Sequence, residues 1–215
     1  GACILRRMRV RPCLLMTLVA LAACSRKQQP QPELPLRALR VVLSSEIEIA
    51  KLGGGDVARR PWVGPIVQML AEEKPDALAP FAQSRIPGSG MTADALFERG
   101  LANLRQACTQ PIQDRTVAMA KANVQITRAA DDYSTARLLL PELWSKIAAD
   151  AGGHLTAAAP ARDILIWTTS TAPDDQSTLR RQAQIAFESR SYPIAPAILR
   201  WTGAGWALED ANPLP

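Results

Sequence analysis

The chain has 215 residues, with 25 Lys and Arg against 20 Asp and Glu, and 47% of it is apolar. Four of the basic residues precede residue 24, where no acid occurs, so the remainder carries 21 basic against 20 acidic side chains. A nearly neutral remainder gives no electrostatic case for nucleic acid, and its length suits one domain with a real core or two small lobes.

The chain begins with Arg6, Arg7, Arg9 and Arg11, followed by the apolar run from Cys13 to Leu21. Charge before grease is the order of a secretory signal, and Met8 suits its translation start. The run is shorter than the roughly 20 apolar residues that span a bilayer. It ends in Leu21-Ala22-Ala23-Cys24, which resembles the lipobox of bacterial lipoproteins. The resemblance implies cleavage between Ala23 and Cys24, a diacylglyceryl group on the Cys24 thiol, and acylation of the new amino terminus. Ala22 and Ala23 suit the narrow pocket of the peptidase. Several acyl chains, at about 0.8 kcal/mol per buried CH₂, make such an anchor permanent. Ser25 stands where aspartate marks inner-membrane retention in this class, so the implied address is the outer membrane, facing the periplasm. The expected organisation is residues 1–23 as signal peptide, 24–36 as lipidated cysteine and linker, and 37–215 as a folded domain. Cleavage removes Cys3 and Cys13 and leaves 192 residues, in which Cys108 is the one thiol not assigned to lipid. No disulfide is then expected within the mature chain.

Ser25 to Pro35 reads SRKQQPQPELP. Polar, proline-rich and without apolar periodicity, it predicts an extended tether reaching roughly 30 Å. Leu39 to Leu43 predicts a strand, and so does Glu46 to Ala50, where Ile47 and Ile49 alternate with glutamates. Gly53-Gly54-Gly55 lacks the following Gly-Lys-Ser/Thr of a phosphate loop and predicts a turn. Pro61 to Glu73 predicts a helix, with Pro61 in its first turn and Trp62, Ile66 and Met69 or Leu70 on one face. Pro75 to Gly90 predicts a loop. Thr92 is positioned to cap a helix that carries Phe97, Leu101, Leu104 and Cys108 on one stripe.

Val117 to Lys121 and Asn123 to Arg128 predict a β-pair. Ser134 can cap a helix toward Asp150, and Pro141 either kinks it or begins a second helix. Gly152 and Gly153 end it. Strands are expected at Leu155 to Ala159 and Asp163 to Thr168, around a turn at Pro160-Ala161-Arg162. The second of these contains Ile164 to Trp167, apolar on both faces, and predicts a central strand. Asp174 to Arg190 predicts a helix with Leu179, Ala183, Ala186 and Phe187 inward. Ala197 to Trp201 and Trp206 to Glu209 predict a closing hairpin. The fold class is therefore α+β, a mainly antiparallel sheet with packed helices, possible also as two related lobes.

Asp132-Tyr133-Ser134-Thr135-Ala136-Arg137-Leu138-Leu139, then Pro160-Ala161-Arg162-Asp163-Ile164-Leu165-Ile166, resembles the YtpQ-type family of bacterial proteins, as does Ala102-Asn103-Leu104 upstream. The resemblance spans about 92–209 and implies a fold more than an activity. The short stretch from Pro75 to Gly90 departs from the family, whose members carry extra strands there.

Tyr133, Arg137, Arg162 and Asp163 are the polar side chains of these segments and the candidates for a ligand or partner site. Arg137 or Arg162 has the chemistry to clamp a carboxylate or phosphate, although capping, turns and surface pairing explain the same residues. Cys108 and His154 form the one Cys-His combination for nucleophilic catalysis, but Cys108 lies on an apolar stripe where cysteine packs as a small hydrophobe. Gly88-Ser89-Gly90 is not a nucleophile elbow, and one histidine with one cysteine leaves a zinc site short of ligands. Asp131-Asp132 and Asp174-Asp175 precede helices, where acids suit the dipole. Trp62, Trp144 and Trp167 read as core, whereas Trp201 and Trp206 are candidates for an exposed stacking platform. No catalytic residue, metal or cofactor is expected. The reading is an envelope lipoprotein with a binding or interaction domain, its partners being the membrane and an envelope protein. The alternatives are an envelope-acting enzyme or a binder of small anions through Arg137 and Arg162.

Overall fold

In the computed structural model the described residues are 36–52, 54–110, 112, 116–119, 121–128 and 133–210. The expected signal segment, Cys24, the expected linker to Pro35, Gly53 and Asp131-Asp132 lie outside them. After a 3-10 turn at Leu36–Ala38, the elements run β1 (Leu39–Ser45), α1 (Glu46–Lys51), β2 (Arg59–Val63), β3 (Ile66–Lys74), β4 (Ala77–Pro80) and α2 (Ala93–Ala107). They continue as β5 (Thr116–Ala118), β6 (Gln125–Thr127), a 3-10 turn at Thr135–Leu139, α3 (Pro141–Asp150), β7 (Thr156–Ala161), β8 (Ile164–Thr168), α4 (Pro173–Ser189), β9 (Ile198–Trp201) and β10 (Trp206–Asp210). This is an α+β fold with two antiparallel sheets.

In the first sheet, β3 is central. It pairs with β1 along one edge, and with β2 and then β4 along the other. Leu70 joins the two short strands: its N–H donates to Ala58 and its carbonyl accepts from Phe81, each at 2.9 Å. Residues from Ile66 to Glu72 are all buried, as expected of a strand covered on both faces.

Two expectations fail here. Pro61 to Glu73 is a hairpin, not a helix. Gly64, at φ +53, turns the chain, Val63, Ile66 and Val67 are β-branched, and Pro61 is tolerated because β2 is an outer strand. Glu46 to Ala50 is helical, not extended. Ser45 and Glu48 form the Ser-x-x-Glu pattern of a capped helix start, and the Ser45 hydroxyl accepts from the Glu48 N–H at 3.2 Å. The helix buries Ile49 and leaves Ile47 outside. The stretch after Pro75 is also more regular than a loop, since it supplies β4.

α2 packs on β1 and β3. The Thr92 side chain caps it by accepting from the Ala95 N–H at 3.2 Å, and Leu96, Phe97, Leu101 and Leu104 are buried beneath it. Gly100 permits the close approach: a β-carbon there would lie 2.9 Å from Val41 Cγ2 and 3.1 Å from Leu70 Cδ1.

The second sheet runs β10-β9-β7-β8-β6-β5. β7 and β8 are central and buried throughout, and the turn between them falls at Arg162-Asp163, two residues later than expected. One face carries Ala158, Ala161, Ile164, Ile166 and Ile198 against Leu179, Ala183 and Ala186 of α4. The small side chains let helix and sheet approach. The other face, with Ala157, Leu165, Trp167, Leu199 and Trp201, joins the core beneath the first sheet and α3. The two sheets therefore share one core within a single unit, in place of two lobes.

Pro141 begins α3 as a separate helix after the 3-10 turn, which resolves the two readings of that proline. Ser134 makes no side-chain capping bond. Gly152 and Gly153 close α3 at φ +66 and +92. Their N–H groups donate to Ala149 and Ala148 at 3.2 and 2.7 Å, the paired ending that left-handed glycines allow.

Candidate functional site

Four tryptophans form an edge-to-face chain through the core. Trp167 meets Trp144 at 5.8 Å, Trp144 meets Trp206 at 5.3 Å, and Trp206 meets Trp201 at 5.3 Å between ring centroids. Their polar ends are used internally: Trp144 donates to the Arg137 carbonyl, Trp167 to the Thr127 hydroxyl and Trp206 to the Leu138 carbonyl. The expected exposed platform is not formed, because Trp201 is buried and Trp206 half-buried against Trp144.

Tyr133 and Arg137 are core residues, 3% and 1% exposed. The Tyr133 hydroxyl donates to Glu73 Oε1 at 2.7 Å. Burial, and then the Glu73 carboxylate, push its phenol well above the ordinary range. Arg162 and Asp163 sit at the β7–β8 turn. The Arg162 guanidinium stacks over the Tyr192 ring at 3.8 Å, and Asp163 pairs with Arg190 at 3.4 Å. The two segments do meet, through the Thr135 hydroxyl donating to the Arg162 carbonyl at 3.1 Å. Their side chains part, however: Arg137 points into the core and Arg162 lies against an exposed ring. Cys108 is buried at the end of α2, while His154 is exposed beyond α3.

Two concavities lie at one end of the second sheet. One of about 440 Å³ is lined by His154, Thr156, Thr171, Gln176, Arg200 and Glu209, among others. A second, of about 450 Å³, is lined by Asn123, Gln125, Asp150 and Thr169, and the two share Ser170. Neither includes Arg137 or Arg162. The β-strand ends, the diglycine stop of α3 and the start of α4 bring these side chains together.

The floor of the first groove is fixed by hydrogen bonds. Gln176 Nε2 donates to the Thr156 hydroxyl at 3.1 Å and to the Ser170 carbonyl at 2.6 Å. Behind it, Asp175 accepts from the Asn123 backbone N–H at 2.9 Å and from its side-chain amide at 3.1 Å. The Ser170 hydroxyl and these Asn123 donors hold the Asp175 carboxyl below its ordinary value. Asp175 thus does more than complement the α4 dipole: it ties the β6 approach to the helix start. At the rim, His154 and Arg200 are exposed and have no ion-pair partner among the described residues. Imidazole, guanidinium, carboxylate, hydroxyl and amide groups around an open groove suit reversible binding of a polar group.

Sequence reading missed this groove because its residues come from four separate segments and form no local motif. The one available signal was His154 directly after the helix-ending glycines, which places a side chain at a loop tip. Comparison with protein-family models, with curated proteins and with solved structures found no match to this chain.

Proposed function

We propose that the chain is a lipid-anchored cell-envelope protein whose α+β domain is a binding module, with the His154–Arg200 groove as its contact site. The observation that supports a binding role is the groove's construction. A hydrogen-bonded floor of Thr156, Ser170 and Gln176 presents an exposed histidine and an exposed arginine at one open rim. The anchor rests on the Leu21-to-Cys24 segment, and the tether leads to the first described residue, Leu36. A photo-crosslinking amino acid at Thr171, in the full chain expressed with its signal, tests the assignment. Adducts are expected at Thr171 and not at Arg181 on α4, and they should fall severalfold with Arg200→Ala. Equal adducts from both positions, or none from Thr171, would overturn the groove as the contact site.

A further inference from the structure

A different groove, of about 390 Å³, is lined by Arg37, Arg40, Arg99, Asn103, Gln106 and Ala107. Three of these six residues are arginines, and the lining holds no carboxylate. Arg99, Asn103 and Gln106 recur at helical spacing along one stripe of α2. Asn103 fastens the start of the domain to that stripe: its side-chain amide donates to the carbonyls of Leu36 at 2.7 Å and Leu39 at 3.0 Å. That clamp brings Arg37 to the same groove as Arg99.

Arg40 is held in the wall. Its Nη1 donates to the carbonyls of Arg37 and Leu39 at 2.7 and 2.9 Å, and its Nη2 pairs with Glu73 at 2.6 Å. Its Nε is buried and has no hydrogen-bond partner. Glu73 offsets this one cation. Arg37 and Arg99 have no ion-pair partner among the described residues. Elsewhere on the same helix, Arg105 has Glu142 at 2.9 Å, and Glu98 lies 3.7 Å from Arg60. The helix therefore pairs its other charges and leaves this stripe positive. Like charges facing one cleft repel, and an anion seated between them removes the repulsion while accepting forked guanidinium bonds.

We infer that this groove is a binding site for a phosphate-class anion, held by Arg37 and Arg99 with Arg40 in the wall behind them. The inference is independent of the His154 groove. The same chemistry fits free phosphate or the phosphate of an anionic lipid headgroup, and the test separates them. The full chain in non-ionic detergent is titrated with inorganic phosphate at constant ionic strength, with chloride as the control, and separately with short-chain phosphatidylglycerol against short-chain phosphatidylcholine. Saturable binding of phosphate or of phosphatidylglycerol is expected, accompanied by a raised melting temperature. It should weaken by about tenfold or more in the Arg37→Gln/Arg99→Gln variant. Both side chains are exposed, so that variant should melt within about 2 °C of the parent without anion, as surface substitutions do. Stronger binding of inorganic phosphate identifies a soluble ligand, and stronger binding of phosphatidylglycerol identifies a headgroup; either supports the site. Absence of saturable binding of both anions, or undiminished binding by the double variant, overturns it. If the double variant fails to fold, the single variants Arg37→Gln and Arg99→Gln are read instead: weakened binding in either folded single variant supports the site, and undiminished binding in both contradicts it.

Discussion

Asp175 shows how much one carboxylate can organise. It sits in the first turn of α4, where its charge suits the helix start, yet its oxygens are taken by Asn123 and its pKa is held low. Asp56 does similar work between α1 and β2, where the Ser84 hydroxyl and backbone N–H lower its pKa. Burial opposes the charge of Glu72, but hydrogen bonds and charge from Lys74 and Arg85 outweigh it, and that carboxyl too is lowered. A carboxyl whose folded pKa lies below its unfolded value stabilises the fold above the unfolded value. That contribution is lost as pH falls through the folded one. The melting temperature is therefore expected to hold from pH 7 to about 5 and to fall below about 4. Asp175→Asn should melt lower than the parent at pH 7 and show a shallower acid decline. Thermal melts across pH 2–7 check this, and parallel curves for the two proteins would contradict it.

At the scale of the element, the meeting of α2 with β1 and β3 depends on Gly100. An added methyl would meet Val41 at 2.9 Å and the Arg40 backbone at 3.2 Å, closer than packed carbon atoms sit. Gly100→Ala gains helix propensity of up to about 1 kcal/mol, but overpacking of this kind costs about 1–3 kcal/mol. A net loss of about 1 kcal/mol or more is expected by urea unfolding, and equal or greater stability would show that the helix can move away without cost.

Elements with a strong local signal were legible in the chain. Thr92 before α2, the diglycine stop of α3, Leu179, Ala183 and Ala186 beneath α4 and the terminal hairpin fall where expected, while Phe187, expected inward with that row, is half-buried. β3 was not, because consecutive apolar residues in a strand buried on both faces satisfy the helical period as well. The Gly64-Pro65 turn was the missed arbiter. α1 was hidden because its Glu-Ile alternation is too short to separate the two periods, and its capping pattern at Ser45 and Glu48 carried the better information.

For the whole molecule, sequence and structure speak about different ends. The Trp144 chain, the shared core and the polar grooves belong to the described domain, whereas the lipobox resemblance belongs to residues before it. The candidate residues Tyr133 and Arg137 turned inward because segment polarity alone does not show which way a side chain faces once two sheets close over it. The grooves were invisible for the opposite reason: Arg37 and Arg99, or His154 and Arg200, become neighbours only through the fold. Among the described residues Arg37, Arg99 and Arg200 are exposed and have no ion-pair partner, which supports the proposed binding role.

That account depends first on Cys24. The direct measurement is metabolic labelling with an acyl-chain precursor in a bacterial host, comparing the full chain with Cys24→Ala. The parent should incorporate label and run at the size expected after loss of residues 1–23, while Cys24→Ala should carry no label and retain the precursor size. Equal labelling of Cys24→Ala, or an unlabelled parent, would contradict the lipid anchor.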